Sequence, residues 1–219
     1  MIQLINISKS FQYEEIFHQI NFTFLDGHAY GLVGRNGSGK SVLLNLLTGF
    51  MTPDSGQVLI DGQVLGRDVD FIQDAGVSIN QPEFMPAWTG YDSLMYLANI
   101  RKKINQKEVS WWVEQMGLTK AIHKPYKTYS QGMKQKMRII QALMEHPKYL
   151  IMDEPFNALD EQSVELVQNI FKHFKSPQTT IIFTSHDQTD ITSIADTILP
   201  IEALKKGSSC PDRDEKHKS

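Results

Sequence analysis

The octapeptide GRNGSGKS at residues 34–41 constrains the fold more than any other segment of the chain. It follows the apolar run Tyr30–Val33, and the apolar residues of Lys40–Thr48 have helical spacing, with Gly49 as a stop signal. A strand, a glycine-rich turn and a helix in this order point consecutive backbone N–H groups at a phosphate. The pattern GxxxxGK[ST] therefore predicts a phosphate-binding loop, with a flexible loop that binds no ligand as the alternative.

The residue types of the loop suit a nucleotide. Gly34, Gly37 and Gly39 let the backbone turn sharply, and the helix N-terminus near Gly39 adds partial positive charge. We predict that Lys40 places its ammonium against the β- and γ-phosphates and that Ser41 offers its hydroxyl to Mg²⁺. The predicted nucleotide-binding residues of the loop are Gly34, Arg35, Asn36, Gly37, Ser38, Gly39, Lys40 and Ser41.

A second segment, YLIMDE at residues 149–154, is an apolar strand that ends in two carboxylates. Asp153 at the tip of the strand is predicted to bind Mg²⁺, directly or through water. Glu154 is predicted to act as the general base that polarises a water for attack on the γ-phosphate. A strand that ends in Asp-Glu is a weak signal alone, but with the loop it predicts a site for nucleotide hydrolysis.

Short apolar runs typical of strands alternate with helical segments over most of the chain, whereas residues 91–145 have a helical pattern. This predicts a mixed α/β core interrupted by a helical insertion. The 219 residues, 41% of them hydrophobic and 21% charged, exclude a disordered or disulfide-stapled chain. The single cysteine, Cys210, indicates a reducing compartment, and no apolar run reaches the roughly 18 residues of a membrane span.

The net charge of −3 conceals an uneven distribution. Residues 91–150 contain 11 Lys and Arg but only 4 Asp and Glu, so the middle of the chain is basic while the rest is acidic. One interpretation is a solvated, lysine-rich helical surface. The other is a basic face that meets an anionic membrane or a partner protein.

With these motifs, the sequence resembles the ATP-binding cassette (ABC) ATPases over nearly its whole length. After the two carboxylates, NALD at Asn157–Asp160 resembles the D-loop of the family, and YSQGM at residues 129–133 stands where the signature motif LSGGQ is expected. Ser130 and Gly132 match that motif, and the resemblance implies that both contact nucleotide. Ser130 also suits a helix N-cap. The other three residues of the motif depart from LSGGQ in the manner of exporter-type cassettes.

The resemblance also implies roles for three residues outside these motifs. Gln81 stands at the Q-loop position, which implies a part in Mg²⁺ binding and in catalysis. His186 matches the switch histidine that contacts the γ-phosphate, and Phe11 lies where the family places an aromatic that stacks on adenine. Tyr13 is the alternative for this stacking role. The predicted catalytic residues are Glu154, His186 and Gln81, and the predicted metal ligands are Ser41, Gln81 and Asp153.

The resemblance implies a P-loop NTPase core with an N-terminal antiparallel β part and an inserted α-helical subdomain. Residues 1–81 and 136–204 are predicted to form one discontinuous ABC ATPase core, and residues 82–135 the inserted helical signature subdomain. Residues 205–219, with the sequence KKGSSCPDRDEKHKS, are predicted to be a disordered tail.

The function implied by the resemblance is the binding and hydrolysis of ATP, with Mg²⁺, to power transport, and the YSQGM variant favours export. The chain is expected to form a dimer, here a homodimer, and to act with a separate integral membrane subunit at the cytoplasmic face of the cell membrane. No nucleic-acid partner is expected. The alternatives are a soluble ABC ATPase that acts on nucleic acid or ribosomes, and a nucleotide-binding regulator without turnover.

Overall fold

The computed structural model describes residues 1–12, 14–186 and 188–205. Tyr13 and the predicted tail beyond Lys205, with Cys210, lie outside the described residues. In chain order the strands are β1 (Ile2–Phe11), β2 (Glu14–Phe24), β3 (Ala29–Val33), β4 (Ser55–Ile60), β5 (Gln63–Val64), β6 (Ala75–Ser78), β7 (Tyr149–Met152), β8 (Thr180–Thr184) and β9 (Thr197–Pro200). The helices are α1 (Lys40–Thr48), α2 (Gly90–Arg101), α3 (Gln106–Gln115), α4 (Gln131–Leu143), α5 (Glu161–Phe174), α6 (Gln188–Ile194) and α7 (Ile201–Lys205).

The chain divides into two compact units. The first comprises Met1–Leu25, Gly34–Ile72 and the segment that starts at Leu199, and the second comprises Asp26–Val33 and Gln73–Ile198. The predicted domain boundaries at residues 81, 82, 135 and 136 follow the family resemblance rather than compactness, and they stay a prediction.

The first unit contains a four-stranded sheet in the order β2-β1-β4-β5, with antiparallel pairing throughout. Ile2, Leu4 and Ile7 of β1 are buried. Alternate side chains of a strand face the same side, and a register shift between Leu4 and Ile7 accounts for the break in this alternation. The sheet confirms the predicted N-terminal antiparallel β part.

Strands β6, β7, β8 and β3 of the second unit pair in parallel and belong to a five-stranded sheet in the order β6-β7-β8-β3-β9. Every residue of β7 and β8 is buried, as expected for parallel strands that are covered on both faces. Met152 lies opposite Phe183, so the residues that follow β7 and β8 emerge at the same edge of the sheet. The predicted strand at Tyr149–Met152 is confirmed with the same bounds.

The helices of the basic middle region begin at side-chain caps. Asn105 and Glu108 form a capping box at the start of α3, and Ser130 caps α4 by accepting the backbone N–H of Met133 at 3.2 Å. These helices confirm the helical pattern predicted for residues 91–145. Within the described ranges, none of the helices combines the length and apolar character needed to cross a membrane.

Gly76 in β6 lets α4 lie directly against the parallel sheet. A Cβ at this position would lie 1.7 Å from the carbonyl oxygen of Ala142 in α4, a backbone atom that has no freedom to rotate away. We predict that Gly76→Ala lowers the free energy of unfolding by about 3 kcal/mol, because α4 has to shift to relieve the collision.

Gly62→Ala is the control for Gly76→Ala, since its added Cβ would meet open space. Its left-handed φ of 83° costs a non-glycine residue only about 1–2 kcal/mol. Urea unfolding of both variants measures the two losses. Equal losses would contradict the proposed collision between β6 and α4.

Candidate functional site

The predicted phosphate-binding loop forms a tight turn ahead of α1. The N–H of Ser38 donates to the carbonyl oxygen of Arg35 at 3.1 Å, and Gly37 and Gly39 have φ values of 78° and 110°. These values lie in the region that glycine adopts at little cost, which explains the glycines at positions 37 and 39. Arg35, Asn36 and Gly37 are exposed at the tip of the turn.

Two polar groups of this loop fit a phosphate. Lys40 is only 7% exposed, and its Nζ donates to the carbonyl oxygens of Gly34 at 2.8 Å and of Arg35 at 3.3 Å. An ammonium has three donors, and the described residues occupy two of them, which leaves one for a further acceptor. The buried Oγ of Ser38 has no hydrogen-bond partner among the residues that the structure describes. A phosphate oxygen would satisfy both groups.

Side chains of β2 pack beneath the loop. A Cβ at Gly39 would lie 2.8 Å from Cγ2 of Ile16 and 3.1 Å from Cζ of the buried Phe17. A larger residue at position 39 therefore collides with the apolar side chains of the antiparallel sheet. The loop depends on this glycine for its packing as well as for its backbone conformation.

Phe11, predicted to stack on adenine, lies at the end of β1. Its side chain is 42% exposed, and Nζ of Lys9 lies 5.5 Å from the ring centroid. An exposed aromatic ring beside a cation is suited to stacking on a base. The stacking role stays a prediction.

In the second unit, Asp153 and Glu154 follow β7 at the carboxyl edge of the parallel sheet. The N–H of Asp153 donates to the carbonyl oxygen of Ser78 at 2.8 Å and extends the pairing with β6 by one residue. The hydroxyl of Thr184 links the two acids, because Oγ1 donates to Oδ1 of Asp153 at 2.7 Å and accepts the N–H of Glu154 at 2.8 Å. The carboxylate of Asp153 and the backbone of Glu154 are thus fixed relative to β8.

His186 is paired with the predicted general base. Its Nε2 lies 3.0 Å from Oε1 of Glu154, with the Glu154 side chain 16% exposed and the imidazole 52% exposed. A carboxylate and an imidazole at this distance form a candidate acid–base pair. The predicted catalytic residues Glu154 and His186 are therefore in contact.

Glu154 also lines a cavity of about 590 Å³ together with Asn80, Gln81 and Asp153. The structure thus brings three predicted residues of this unit, Gln81, Asp153 and Glu154, around one cavity. The loop residues belong to the first unit. Asn80 was not predicted. It precedes Gln81 directly, both have positive φ, at 57° and 50°, and the sequence carries no signal that distinguishes the two amides.

The predicted signature residues lie at the start of α4. A Cβ on Gly132 would lie 2.8 Å from the carbonyl oxygen of Ala158, so glycine at this position lets the predicted D-loop pass close to the helix. Asp160 ends the D-loop and caps α5. Hydrogen bonds from the side chain and backbone of Ser163 hold the pKa of Asp160 below its usual value, which keeps this carboxylate ionised.

A buried arginine ties α4 to the segment that follows β6. Arg138 is 3% exposed, and it donates through Nε to the carbonyl oxygen of Pro82 and through Nη2 to Oε1 of Glu83, both at 3.0 Å. Its Nη1 donates to Oε1 of Gln135 at 3.1 Å, and Nε2 of Gln135 donates to the carbonyl oxygen of Glu154 at 3.2 Å. Side chains of α4 therefore bind the backbone of two segments that line the cavity, at Pro82 next to Gln81 and at Glu154.

Comparison with known proteins gives the family. A family model described as ABC transporter matches residues 17–157. The uncharacterized ABC transporter ATP-binding protein YybJ of Bacillus subtilis (strain 168) is 35% identical over 199 residues, which are 91% of each chain. The lantibiotic transport ATP-binding protein SrtF of Streptococcus pyogenes is 30% identical over 198 residues, which cover 90% of this chain and 85% of SrtF.

The same fold occurs in a solved dimer of an ATP-binding cassette in a post-hydrolysis state with bound ADP and Pi. The TM-score is 0.80 at 22% identity, with 100% of both chains covered. The fold is therefore that of an ABC ATPase. The chain belongs to the ABC transporter family, as one of its ATP-binding subunits.

Lys40→Ala is predicted to weaken ATP binding by about tenfold or more, because a hydrogen bond to a charged group contributes about 1.5–3 kcal/mol. Fluorescence titration with a labelled ATP analogue measures the affinity. Lys172→Ala, which removes an exposed lysine of α5, is the control and should bind as the wild type does. Unchanged affinity of Lys40→Ala would remove Lys40 from the nucleotide site.

Proposed function

We propose that this chain hydrolyses ATP as a homodimer and that hydrolysis powers export through a separate membrane subunit, at the cytoplasmic face of the cell membrane. The observation that carries the hydrolytic part is the cavity edged by Asp153 and Glu154, with His186 paired to Glu154. A binding regulator without turnover has no need of this acid–base pair.

Glu154 is proposed to take the proton of the attacking water. Its Oε1 is 3.0 Å from His186 Nε2, and its backbone is fixed on the N–H side by Thr184. His186 is proposed to orient the carboxylate and to contact the γ-phosphate. Because general-base catalysis requires a positioned acceptor, the fixed backbone of Glu154 supports this role.

The residues also suit Mg²⁺, which takes oxygen ligands and usually binds through one or two carboxylates beside substrate phosphates. The proposed ligands are the hydroxyl of Ser41, the amide oxygen of Gln81 and the carboxylate of Asp153. One of the two carboxylate oxygens of Asp153 already accepts the hydrogen bond from Thr184, which fixes the orientation of the group. Bound Mg²⁺ would neutralise the charge that develops on the phosphate oxygens.

Glu154→Gln is predicted to lower kcat for ATP hydrolysis by about 10²–10⁴-fold, because an amide cannot accept the proton. ATP binding should persist, so the variant should accumulate a closed dimer with ATP, measured by size-exclusion chromatography. Glu165→Gln, an exposed change on α5, is the control and should hydrolyse ATP normally. Normal hydrolysis by Glu154→Gln would rule out Glu154 as the base.

The start of α4 supports the dimer. In the proposed head-to-tail arrangement, the loop at residues 34–41 of one copy and the signature residues of the other enclose each ATP. Ser130 caps α4, and Gly132 leaves the first turn of the helix without a bulky side chain. A helix N-terminus favours an anion, so this end of α4 is suited to the phosphates bound by the second copy.

An exposed apolar surface supports docking to a membrane subunit. Trp88 and Tyr96 contact each other edge to face with centroids 5.3 Å apart, and Ile100 follows Tyr96 by one helical turn on α2. Ile100 is 64% exposed and Tyr96 57%. Large apolar side chains grouped at the surface are typical of protein contacts. We assign the membrane subunit to this surface, defined by Trp88, Tyr96 and Ile100 and called the α2 surface.

Ile100→Glu and Tyr96→Glu are predicted to release the protein from membranes that contain its membrane subunit, while ATP binding is retained. The reason is that a carboxylate on the α2 surface must be desolvated on docking. Sedimentation with native membranes measures the bound fraction. Trp111→Glu is the matched control, because Trp111 is also half exposed but lies on α3. Equal release of all three variants would contradict docking at the α2 surface.

Two observations bear on the direction of transport. SrtF, at 30% identity, is described as a lantibiotic transport ATP-binding protein. The departure of YSQGM from LSGGQ has the exporter-type form noted from the sequence. Together these favour export over import.

A further inference from the structure

We propose that Thr184 is a positioning residue for hydrolysis, whose single hydroxyl holds the Asp153 carboxylate and the Glu154 peptide in fixed positions. The proposal rests on the proposed function, because it specifies how Glu154 is held for the step assigned to it. Thr184 is not placed in contact with ATP, and it acts through the two acids.

The geometry comes from the pairing of β7 with β8. Met152 lies opposite Phe183. Asp153, which follows β7, and Thr184, the last residue of β8, therefore lie beside each other. Thr184 is completely buried. Its Oγ1 donates to Oδ1 of Asp153 at 2.7 Å and accepts the N–H of Glu154 at 2.8 Å. A hydroxyl has one donor and two acceptor positions, and this one is engaged in both ways.

Glu154 needs this support because its φ of 51° lies in the left-handed region, which costs a non-glycine residue energy. Thr184 fixes its N–H, and Gln135 fixes its carbonyl oxygen at 3.2 Å. With both ends of the residue held, the carboxylate reaches Nε2 of His186 at 3.0 Å. Loss of the hydroxyl would let the backbone of Glu154 relax and would move the carboxylate away from the reacting water.

The consequence is a specific kinetic signature. Lys40, which is proposed to bind the phosphates, belongs to the loop, and Thr184 takes no part in the loop. Misplacement of the general base lowers the rate of the chemical step, and a misplacement of about 1 Å costs about 100-fold. Removal of the hydroxyl should therefore lower kcat and leave KM for ATP nearly unchanged.

Three variants of the full chain test the proposal. Thr184→Val removes the hydroxyl but keeps the β-branched shape, and Thr184→Ser keeps the hydroxyl. Thr180→Val, at the other end of β8, removes a second completely buried hydroxyl and controls for the general effect of such a change. Steady-state ATP hydrolysis gives kcat and KM, and thermal unfolding reports whether each variant is folded.

The expected result is a kcat about 10- to 100-fold lower for Thr184→Val, with KM within about threefold of the wild type and near-normal kcat for Thr184→Ser and Thr180→Val. The proposal is overturned if Thr184→Val keeps kcat within about twofold of the wild type, or if Thr184→Ser or Thr180→Val loses as much as Thr184→Val. Wild-type protein without ATP hydrolysis, or full activity of Glu154→Gln, would instead overturn the proposed function.

Discussion

The parallel pairing of β7 with β8 is the constraint on which the candidate site depends. Both strands are buried over their whole length, and burial on both faces requires that nearly every side chain be apolar. With Met152 opposite Phe183, Asp153, which directly follows β7, and Thr184, the last residue of β8, lie side by side at the edge of the sheet. The acids at the carboxyl edge are therefore held in place by the apolar core behind them.

Several cations of the basic middle region, residues 91–150, form ion pairs with acidic residues of the same chain, which the composition alone does not indicate. Lys134 and Arg138 both pair with Glu83, and Arg101 and Lys103 both pair with Asp74. Exposed pairs of this kind contribute little stability, but the buried guanidinium of Arg138 also fixes backbone beside the cavity. Several cations between residues 91 and 150 thus form ion pairs within the molecule. The proposed contact with a membrane subunit is therefore based on the apolar α2 surface and not on these charges.

Local sequence signals are sufficient to predict the loop, α1 with its stop at Gly49, and the strand that precedes Asp153. The reason is that glycine spacing and apolar runs are patterns of neighbouring residues. Contacts between segments that are far apart in the chain could not be predicted from the sequence. The role of Thr184 depends on the register of two strands, and the hydrogen bonds of Arg138 to Pro82 and Glu83 join residues more than fifty positions apart. The position of Asn80 at the cavity depends on a turn that neither charge nor hydrophobicity indicates.

The most direct test of ATP hydrolysis by a dimer is the release of phosphate from saturating MgATP, measured with wild-type protein over a wide range of protein concentration. If two copies enclose each ATP, the rate per chain rises with protein concentration and reaches a plateau when the dimer is fully formed. The dimer would be contradicted if the rate per chain stayed constant from the lowest concentration while light scattering gave the mass of a single chain. Phosphate release no faster than that of the heat-denatured protein would contradict hydrolysis itself.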